Sequence, residues 1–216
     1  MKSVEELNNV YASLRPLQRI EKLYSDSEKV LLTSSFGTTS VILLHMFHEV
    51  NPAQEIIFLD TTYHFAETLR YKEMLTERFG LNVRTAQPEE WKNAFTNSDQ
   101  TWSKDPDLCC SINKVEPLDK LKAGYEVWVS GLMQSQNNYR KQMTIFEQKE
   151  TLLKFYPIID LSEEEAKKYI AENNLPPHPL VAHGFNSVGC IHCTVKGRGR
   201  EGRWVNRNKT ECGLHI

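Results

Sequence analysis

Short apolar runs of strand length alternate with amphipathic segments along most of the chain. Four runs have the pattern of strands: VLLTSSFG (30–37), EIIFLDT (55–61), LNVRTAQ (81–87) and EVWVSGL (126–132). The segments at 38–50, 65–80 and 162–174 have helical spacing, and the last opens with Ser162 and Glu165 in capping-box order. This alternation predicts an α/β fold with a doubly wound, mostly parallel sheet and helices on both faces.

The two ends of the chain depart from this alternation. Residues 3–24 have apolar positions at helical spacing and predict an N-terminal helix within residues 1–25. Residues 176–216 are rich in turn-forming residues, which predicts an irregular, loop-rich C-terminal segment over the sheet. A chain of 216 residues can bury one substantial core, so we expect residues 1–216 to form a single domain.

The charge balance and the lack of long apolar runs argue against nucleic-acid-binding and membrane-spanning proteins. Against 28 acidic residues the chain has 26 basic ones, and a net charge of −2 gives no reason to expect nucleic-acid binding. There is no apolar leader and no run long enough to span a membrane, so we expect a cytoplasmic protein. The stretch 196–209 is locally basic, which indicates either a small anionic ligand or a solvated tail.

Four of the five cysteines form two pairs, an adjacent pair and a Cys-x-x-Cys pair: Cys109, Cys110, Cys190 and Cys193. In a cytoplasmic protein such clusters indicate metal or redox chemistry rather than a structural disulfide. Tetrahedral zinc sites are typically built from spaced knuckles, whereas adjacent cysteines suit the separate corners of a [4Fe–4S] cluster. The spacing therefore favours iron–sulfur over zinc and leaves a redox disulfide or unliganded thiols as further readings.

The turn SSFGTTS and Cys212 can each be interpreted as part of a functional site or as an ordinary structural feature. The turn SSFGTTS after the first predicted strand could bind a nucleotide phosphate through backbone N–H groups, or could simply be a serine-rich helix cap. Cys212 has no cysteine nearby, follows the basic stretch and lies three residues before His215. Neighbouring cations favour a reactive thiolate, and the alternative is an inert residue near the chain end.

The segment KTECGLH (209–215) resembles the closing signature of the adenylyl-sulfate and phosphoadenylyl-sulfate reductases of sulfate assimilation. LLTSSFG, IIFLDT, INKVEP, YPIIDLS and SVG are also similar to segments of that family and occur in the same order. The double cysteine with Cys-x-x-Cys resembles the subgroup that carries a [4Fe–4S] cluster and mostly uses adenosine 5′-phosphosulfate. The resemblance extends from about residue 30 to the C-terminus and implies an adenine-nucleotide α-hydrolase-like fold.

The resemblance also implies a mechanism. Cys212 would attack the sulfate sulfur, AMP would leave, and thioredoxin or a similar dithiol would release sulfite from the S-sulfocysteine. Arg200 and Arg203 match the family's arginine pair, and Lys114 matches the lysine between cluster and substrate. His215 would lie near the nucleophile or the sulfate. The nucleotide would be held by the turn after the first strand and a glycine after a later one: Ser34, Ser35, Phe36, Gly37, Thr38 and Gly131.

This sequence departs from the family pattern at three positions. Met133 and Gln134 replace paired arginines after the EVWVSG strand, leaving Arg140 downstream, and Asn113 replaces the arginine before Lys114. The loss of cations weakens the case for a substrate with a 3′-phosphate. No thioredoxin-like domain follows, so we expect an external reductant. A phosphoadenylyl-sulfate reductase and a zinc-stabilised nucleotide-binding module are the alternatives. An adenylating enzyme of the ATP-pyrophosphatase type is a third, disfavoured because SSFGTTS lacks the SGGxDS loop. A homo-oligomer is left open.

Overall fold

The computed structural model describes residues 3–149 and 152–215. Within them, the strands are β1 (Val30–Ser34), β2 (Glu55–Leu59), β3 (Asn82–Ala86), β4 (Val127–Val129), β5 (Phe146–Lys149) and β6 (Leu152–Phe155). The α-helices are α1 (Val4–Ala12), α2 (Pro16–Asp26), α3 (Ser40–Val50), α4 (Ala66–Phe79), α5 (Glu90–Ser98), α6 (Thr101–Lys104), α7 (Pro106–Cys110), α8 (Glu116–Lys122) and α9 (Glu163–Glu172). A π-helical turn, Ser111–Val115, separates α7 from α8.

One six-stranded sheet organises the molecule in the order β3-β2-β1-β4-β6-β5. All neighbouring pairs are parallel except β5 and β6, which are antiparallel. The predicted mostly parallel α/β sheet is therefore confirmed. Since the chain proceeds from β1 to β2 on one side and later returns to β4 on the other, the switch point lies between β1 and β4, where such sheets bind ligands.

The strands alternate their side chains between two buried faces, as an enclosed parallel sheet requires. Leu32, Phe58 and Val129 belong to the larger apolar cluster, which includes residues of α1, α2, α3 and α9. On the opposite face lie Ile57 and Trp128, in a smaller cluster that also contains buried Leu31, Leu59, Leu118 of α8 and Leu152. Leu214, near the C-terminus, packs against this smaller cluster.

The prediction of one N-terminal helix is wrong, because the structure has two, α1 and α2. Pro16 opens α2 at its first position. Proline has no N–H to continue the preceding helix, while its fixed φ suits the first turn of a new one. Buried Arg19 of α2 then donates from Nε to the carbonyl oxygen of Tyr11, at 3.0 Å, which ties the two helices together.

The hairpin of β5 and β6 was not predicted from the sequence. Its strands, FEQK and LLKF, are only four residues long and contain charged residues, so they lack the apolar run of the other strands. Aromatic packing stabilises the pair, since the rings of Phe146 and Phe155 stack 4.6 Å apart. Asn8 of α1 donates to the Phe146 carbonyl and accepts from its N–H, which caps the outer strand.

The C-terminal segment has little regular structure. Between residues 176 and 215 the described chain forms two 3₁₀ turns, Pro179–His183 and Ile191–Cys193, and isolated bridges such as His64 with Cys190. We refer to residues 209–215 as the tail. No helix within the described residues is both long and apolar enough to cross a bilayer.

Candidate active site

A cavity of about 370 Å³ opens at the carboxyl ends of β1 and β4, at the predicted switch point. Its volume lies in the range of small-molecule sites. Ten of the residues predicted to bind substrate or act in catalysis line it: Ser34, Ser35, Gly37, Thr38, Lys114, Gly131, Arg200, Arg203, Cys212 and His215. The structure thus brings residues from five separated parts of the chain to one site.

The turn after β1 forms the hydroxyl-rich side of this cavity. Ser34, Ser35 and Thr38 lie beside the N-terminal end of α3, an 11-residue helix whose dipole favours an anion. Thr38 donates from Oγ1 to the carbonyl oxygen of Asn186 at 2.8 Å, which joins the turn to the C-terminal segment. The arrangement suits the phosphate of a nucleotide.

Phe36 is the member of this turn that does not line the cavity. Its side chain is fully buried in the larger core cluster, in an edge contact with Phe58 at 5.6 Å. The backbone of Phe36 is left-handed, with φ of 50°, which is uncommon for a bulky residue. The ring of Phe36 anchors the turn to the core, so the predicted substrate contact of this residue stays a prediction about its backbone alone.

Arg200 and Arg203 form the cationic end of the cavity. Both Nε atoms are buried without a hydrogen-bond partner, and Arg203 lies 4.4 Å from the centre of the Trp204 ring. Burial and the nearby charges of Arg140 and Arg203 lower the pKa of Arg200 to about 9. Since crowded, buried cations are stabilised by a counter-charge, this end of the cavity suits a highly anionic group.

Gly189 makes room for the Arg203 guanidinium. A Cβ at this position would lie 2.7 Å from Cζ of Arg203, closer than side chains approach one another. The absence of a side chain at Gly189 therefore lets the guanidinium pack directly on the backbone at the cavity wall.

The Cys212 thiol lies among groups that favour its ionised form. The hydrogen bond with Cys110 and the charges of Lys114 and Arg203 hold the pKa of Cys212 well below its ordinary value, against the opposite effect of burial. Since a thiolate is the reactive form of cysteine, the predicted nucleophile is in a suitable state to attack an electrophile in the cavity.

Lys114 lies on the π-helical turn and lines both the large cavity and a smaller one that contains the four paired cysteines. Burial lowers the pKa of Lys114, but the sulfurs of Cys190, Cys212 and Cys110 more than offset this, so its pKa is well above the ordinary value. π-helical turns often occur at functional sites. In this protein the π-helical turn contains Lys114, whose side chain lines both cavities.

His215 is a neutral group in this site. Burial, together with the charges of Arg140, Lys154, Arg200 and Lys114, lowers its pKa well below the usual range. Its ring stacks on Trp128 with centroids 5.7 Å apart, and its N–H donates to the Cys212 carbonyl oxygen at 2.9 Å. His215 therefore lies near the nucleophile, as predicted, but without a positive charge.

The smaller cavity is lined by all four paired cysteines, none of which is in a disulfide. Three of their sulfurs have polar neighbours. Thr61 Oγ1 lies 3.3 Å from Cys190 Sγ, Asn113 Nδ2 donates to Cys109 Sγ at 3.6 Å, and Arg207 NH1 donates to Cys193 Sγ at 3.7 Å. Hydrogen bonds of this kind to cysteine sulfur accompany metal and cluster ligation.

Aromatic rings cover this smaller cavity. Trp102 and His192 stack with centroids 3.8 Å apart, and Tyr63 contacts both rings edge-on. Burial and the neighbouring sulfurs of Cys190 and Cys193 raise the pKa of Cys109 to about 11. Three of the four cysteines are therefore buried, and Cys193 is half-buried. The cavity lining includes two basic side chains, Lys114 and His192.

Known sequences identify the family. The profile of the phosphoadenosine phosphosulfate reductase domain matches residues 29–196, well over half of the chain. The chain belongs to the phosphoadenosine phosphosulfate reductase family. A Bacillus mycoides relative named adenosine 5′-phosphosulfate reductase is 37% identical over 198 residues, covering 88% of this chain and 85% of that protein. A Bacillus cytotoxicus relative of the same name is 36% identical and covers 99% and 94%.

Solved structures agree with this family's fold. A phosphoadenylyl-sulfate reductase from Candida auris, in a phosphate complex, superposes with a TM-score of 0.77 at 24% identity, covering 90% of this chain and 98% of that one. An FMN adenylyltransferase from Candida glabrata superposes with a TM-score of 0.61 at 12% identity, covering 89% and 73%. At these identities the comparison shows the fold alone, which is the predicted adenine-nucleotide α-hydrolase-like fold.

The structure also shows residues of this family member that the sequence reading missed. Glu211 and Arg140 form a buried ion pair at the cavity, with Arg140 Nε donating to Glu211 Oε1 at 2.7 Å. Lys154 of β6 donates to the Leu214 carbonyl oxygen at 3.0 Å, and Tyr139 donates to that of His215 at 2.8 Å. Glu211 lies inside KTECGLH, but the contiguous motif does not show that its carboxylate is buried against Arg140, which is 71 residues away in the chain.

The basic stretch divides between two roles. Arg200 and Arg203 line the large cavity, as the anionic-ligand reading predicts. Arg207 instead donates to a sulfur of the cysteine cavity, and Lys209 forms an ion pair with Asp107 of α7.

Asn113, which replaces an arginine of the family pattern, is buried and also donates to Thr96 Oγ1 at 3.0 Å. Its short side chain fits the wall of the cysteine cavity.

Proposed function

We propose that this chain reduces adenosine 5′-phosphosulfate to sulfite and AMP, with Cys212 as the nucleophile. Its family makes it an oxidoreductase of sulfonucleotides. The observation that carries the proposal is the position of Cys212, in the same cavity as Lys114, Arg200 and Arg203. The charges of Lys114 and Arg203 favour its thiolate. Relatives at 36–37% identity are named for the same substrate, which supports the choice of nucleotide.

In the first step the Cys212 thiolate attacks the sulfur of the sulfate group. The bond from that sulfur to the bridging oxygen breaks, AMP leaves with the electron pair, and Cys212 becomes an S-sulfocysteine. Negative charge grows on the leaving phosphate, and the cations of the cavity offset it. His215, being neutral, is suited to donate or accept a hydrogen bond there rather than to add charge.

In the second step a dithiol such as thioredoxin supplies two electrons. One thiolate attacks Sγ of the S-sulfocysteine, sulfite leaves with the bonding electrons, and a mixed disulfide forms. The second thiol of the reductant then attacks that disulfide and restores the Cys212 thiolate.

We also propose that Cys109, Cys110, Cys190 and Cys193 hold a [4Fe–4S] cluster. Support comes from the shared cavity of the four thiols and from the polar groups beside the sulfurs of Cys109, Cys190 and Cys193. The adjacent pair Cys109 and Cys110 favours a larger body over zinc, because tetrahedral zinc sites are typically built from spaced cysteines. When bound, the cluster would supply a structural support and a buried negative charge beside Lys114.

The loop after β4 supports the choice of the substrate without a 3′-phosphate. Met133 is buried, and Gln134 donates to the Met143 carbonyl oxygen at 2.8 Å, so neither offers a charge to a ligand. Arg140 directs its guanidinium at Glu211 and Gln136. A 3′-phosphate would need a cation that this loop does not offer freely.

The decisive experiment is an anaerobic assay of sulfite release with a dithiol and each of the two sulfated nucleotides. We expect turnover with adenosine 5′-phosphosulfate and a lower kcat/KM, by at least about tenfold, with the 3′-phosphorylated form. Cys212→Ser should abolish sulfite release and leave nucleotide binding within roughly threefold of the parent. Sulfite release by that variant would contradict the mechanism, and a preference for the 3′-phosphorylated nucleotide would contradict the substrate.

Metal analysis tests the cluster separately. Anaerobically purified protein should be brown, with about four iron and four sulfide per chain. Cys193→Ser should lose iron, whereas Cys212→Ser should keep it, which distinguishes a ligand from the nucleophile. Colourless protein containing one zinc per chain would contradict the proposal and support a zinc-stabilised module.

A further inference from the structure

Glu211 has an unusual number of polar contacts for a residue beside a nucleophile. Its side chain is only 2% exposed and accepts from Arg140 Nε at 2.7 Å, Arg140 NH2 at 2.8 Å and Asn137 Nδ2 at 2.6 Å. Arg200 NH2 lies 3.4 Å from its second oxygen. One buried carboxylate therefore contacts the loop after β4, the cationic end of the cavity and, through the backbone, Cys212.

Arg140 has the matching environment. It is 5% exposed, lies in the 3₁₀ turn Arg140–Gln142 and also donates to Gln136. Its backbone N–H donates to Asn137 Oδ1 at 2.8 Å, which fixes the backbone of the turn. The guanidinium is held by Gln136 and by two parallel hydrogen bonds to Glu211, which fix the carboxylate in turn.

We propose that Glu211, through Arg140, is a positioning residue that holds Cys212 and Arg200 in their reactive arrangement. The effect of Glu211 on turnover rests on the proposed function, whereas its role in holding the tail in place does not. Replacing either residue by glutamine removes the two charge-assisted hydrogen bonds that hold the tail to the turn Arg140–Gln142. Without them, residue 211 leaves its buried position and takes the neighbouring Cys212 out of the cavity.

The other contacts of the tail cannot replace this pair. Lys154 and Tyr139 bind the carbonyl oxygens of Leu214 and His215, which follow Cys212. Lys209 binds Asp107 on the other side, before it. Glu211 is the tail residue nearest to the nucleophile whose side chain is held by charge, so it sets the place of the thiol most directly.

The test compares Glu211→Gln, Arg140→Gln and the double variant in the cluster-containing protein. The rate of Cys212 alkylation by iodoacetamide is followed by mass spectrometry of the C-terminal peptide, without substrate. We expect both single variants to react about tenfold faster, because the thiol becomes exposed, and the double variant to match them.

The direction in which each single variant changes the alkylation rate distinguishes a positioning role from a purely electrostatic one. Loss of the Glu211 charge alone would favour the Cys212 thiolate and speed alkylation, whereas loss of the Arg140 charge alone would slow it. Acceleration in both variants is therefore expected only if the tail moves. Opposite effects, or unchanged rates in both, would overturn the proposal. Arg140→Lys, which keeps the charge, should retain part of the protection.

Asp160→Asn provides the matched control. Asp160 also forms a two-contact ion pair with a buried arginine, Arg19, at 2.6 and 2.7 Å, but outside the tail and the cavity. This variant should lower the melting temperature and leave Cys212 alkylation unchanged; faster alkylation would indicate general loosening and would overturn the proposal.

Steady-state kinetics with adenosine 5′-phosphosulfate then connect the pair to catalysis. Glu211→Gln should lower kcat by at least about tenfold and change KM by less than about threefold, since binding by the turn after β1 is retained. A change in KM alone would overturn the catalytic part of the inference. If the parent protein releases no sulfite, the proposed function fails, while the alkylation rates still decide whether the pair positions the tail.

Discussion

The large cavity has two walls that are built in different ways. The sheet wall includes Ser34 at the end of β1, residues 35 and 37–40 after it, and residues 130–131 after β4. The opposite, tail wall consists of Lys114, Arg200, Arg203, Cys212 and His215, which come from the π-helical turn and the C-terminal segment. Apolar strands buried on both faces fix the first wall, whereas ion pairs and hydrogen bonds fix the second.

Because of this difference, the sheet wall and the tail wall contribute unequally to the free energy of folding and to catalysis. Apolar burial contributes most of the folding free energy, and the sheet wall inherits its position from that core. The tail wall adds little apolar area but contains the nucleophile and the cations. Substitutions beneath the sheet wall should therefore change the free energy of unfolding, while those in the tail wall should change turnover.

The largest expected effect is on the sheet side. Ile57→Ala removes a fully buried side chain from the smaller core cluster and should lower the free energy of unfolding by about 2–5 kcal/mol. Urea denaturation measures this, and kcat of the remaining folded protein should stay within roughly twofold. Val195→Ala, at an exposed position, is the control and should cost less than about 0.5 kcal/mol. A large fall in kcat of Ile57→Ala with an unchanged free energy of unfolding would contradict the assignment of stability to the sheet wall and turnover to the tail wall.

A pH-dependent effect is expected where the walls meet, at Lys154. Burial lowers the pKa of Lys154 from 10.5 to about 8, with the charges of Lys149 and Lys122 acting in the same direction and that of Glu147 opposing them. Its ammonium also lies 4.7 Å from the Trp128 ring centre. The folded protein therefore releases this proton at lower pH than the unfolded chain, so stability rises between pH 8 and 10.5.

Lys154→Met should remove that rise. The unfolding free energy of the parent relative to this variant should increase by up to about 3 kcal/mol across the same pH window. Urea denaturation at several pH values provides the measurement. A difference that is flat with pH would show that Lys154 titrates normally in the folded protein.

In the tail wall, Lys114→Gln should lower kcat by roughly 100-fold, because a cation next to the developing charge is lost. Iron content should change little if the role of Lys114 is electrostatic. Lys120→Gln, an exposed lysine on α8, should leave kcat unchanged. Loss of the cluster in Lys114→Gln would instead assign this lysine a structural role.

The smallest effect is expected at Gly189. A methyl group there would meet the Arg203 guanidinium and displace it, which should lower kcat by roughly tenfold through misplacement of one cation. Gly124→Ala is the control, since nothing lies within 4 Å of its Cβ position. Equal kinetics for the two variants would mean that Arg203 tolerates displacement.

Several features were predictable because a local pattern carries them. The parallel strands, the capping box of Ser162 with Glu165 and the end of α4 at Gly80 follow from periodicity and turn chemistry. The break at Pro16 was also visible in the sequence, but the continuous helical spacing on either side of it hid the boundary. The hairpin of β5 and β6 left no comparable pattern, because its strands are short and partly charged.

The sequence by itself determined the α/β fold, the family and the residues with reactive side chains, because strand and helix periodicities and the KTECGLH segment are contiguous in the chain. Only the tertiary structure decided how these residues meet. It turned Phe36 into the core, made His215 a neutral group and paired Arg140 with Glu211. Burial and charge at a site depend on segments distant in sequence, and no local pattern encodes them.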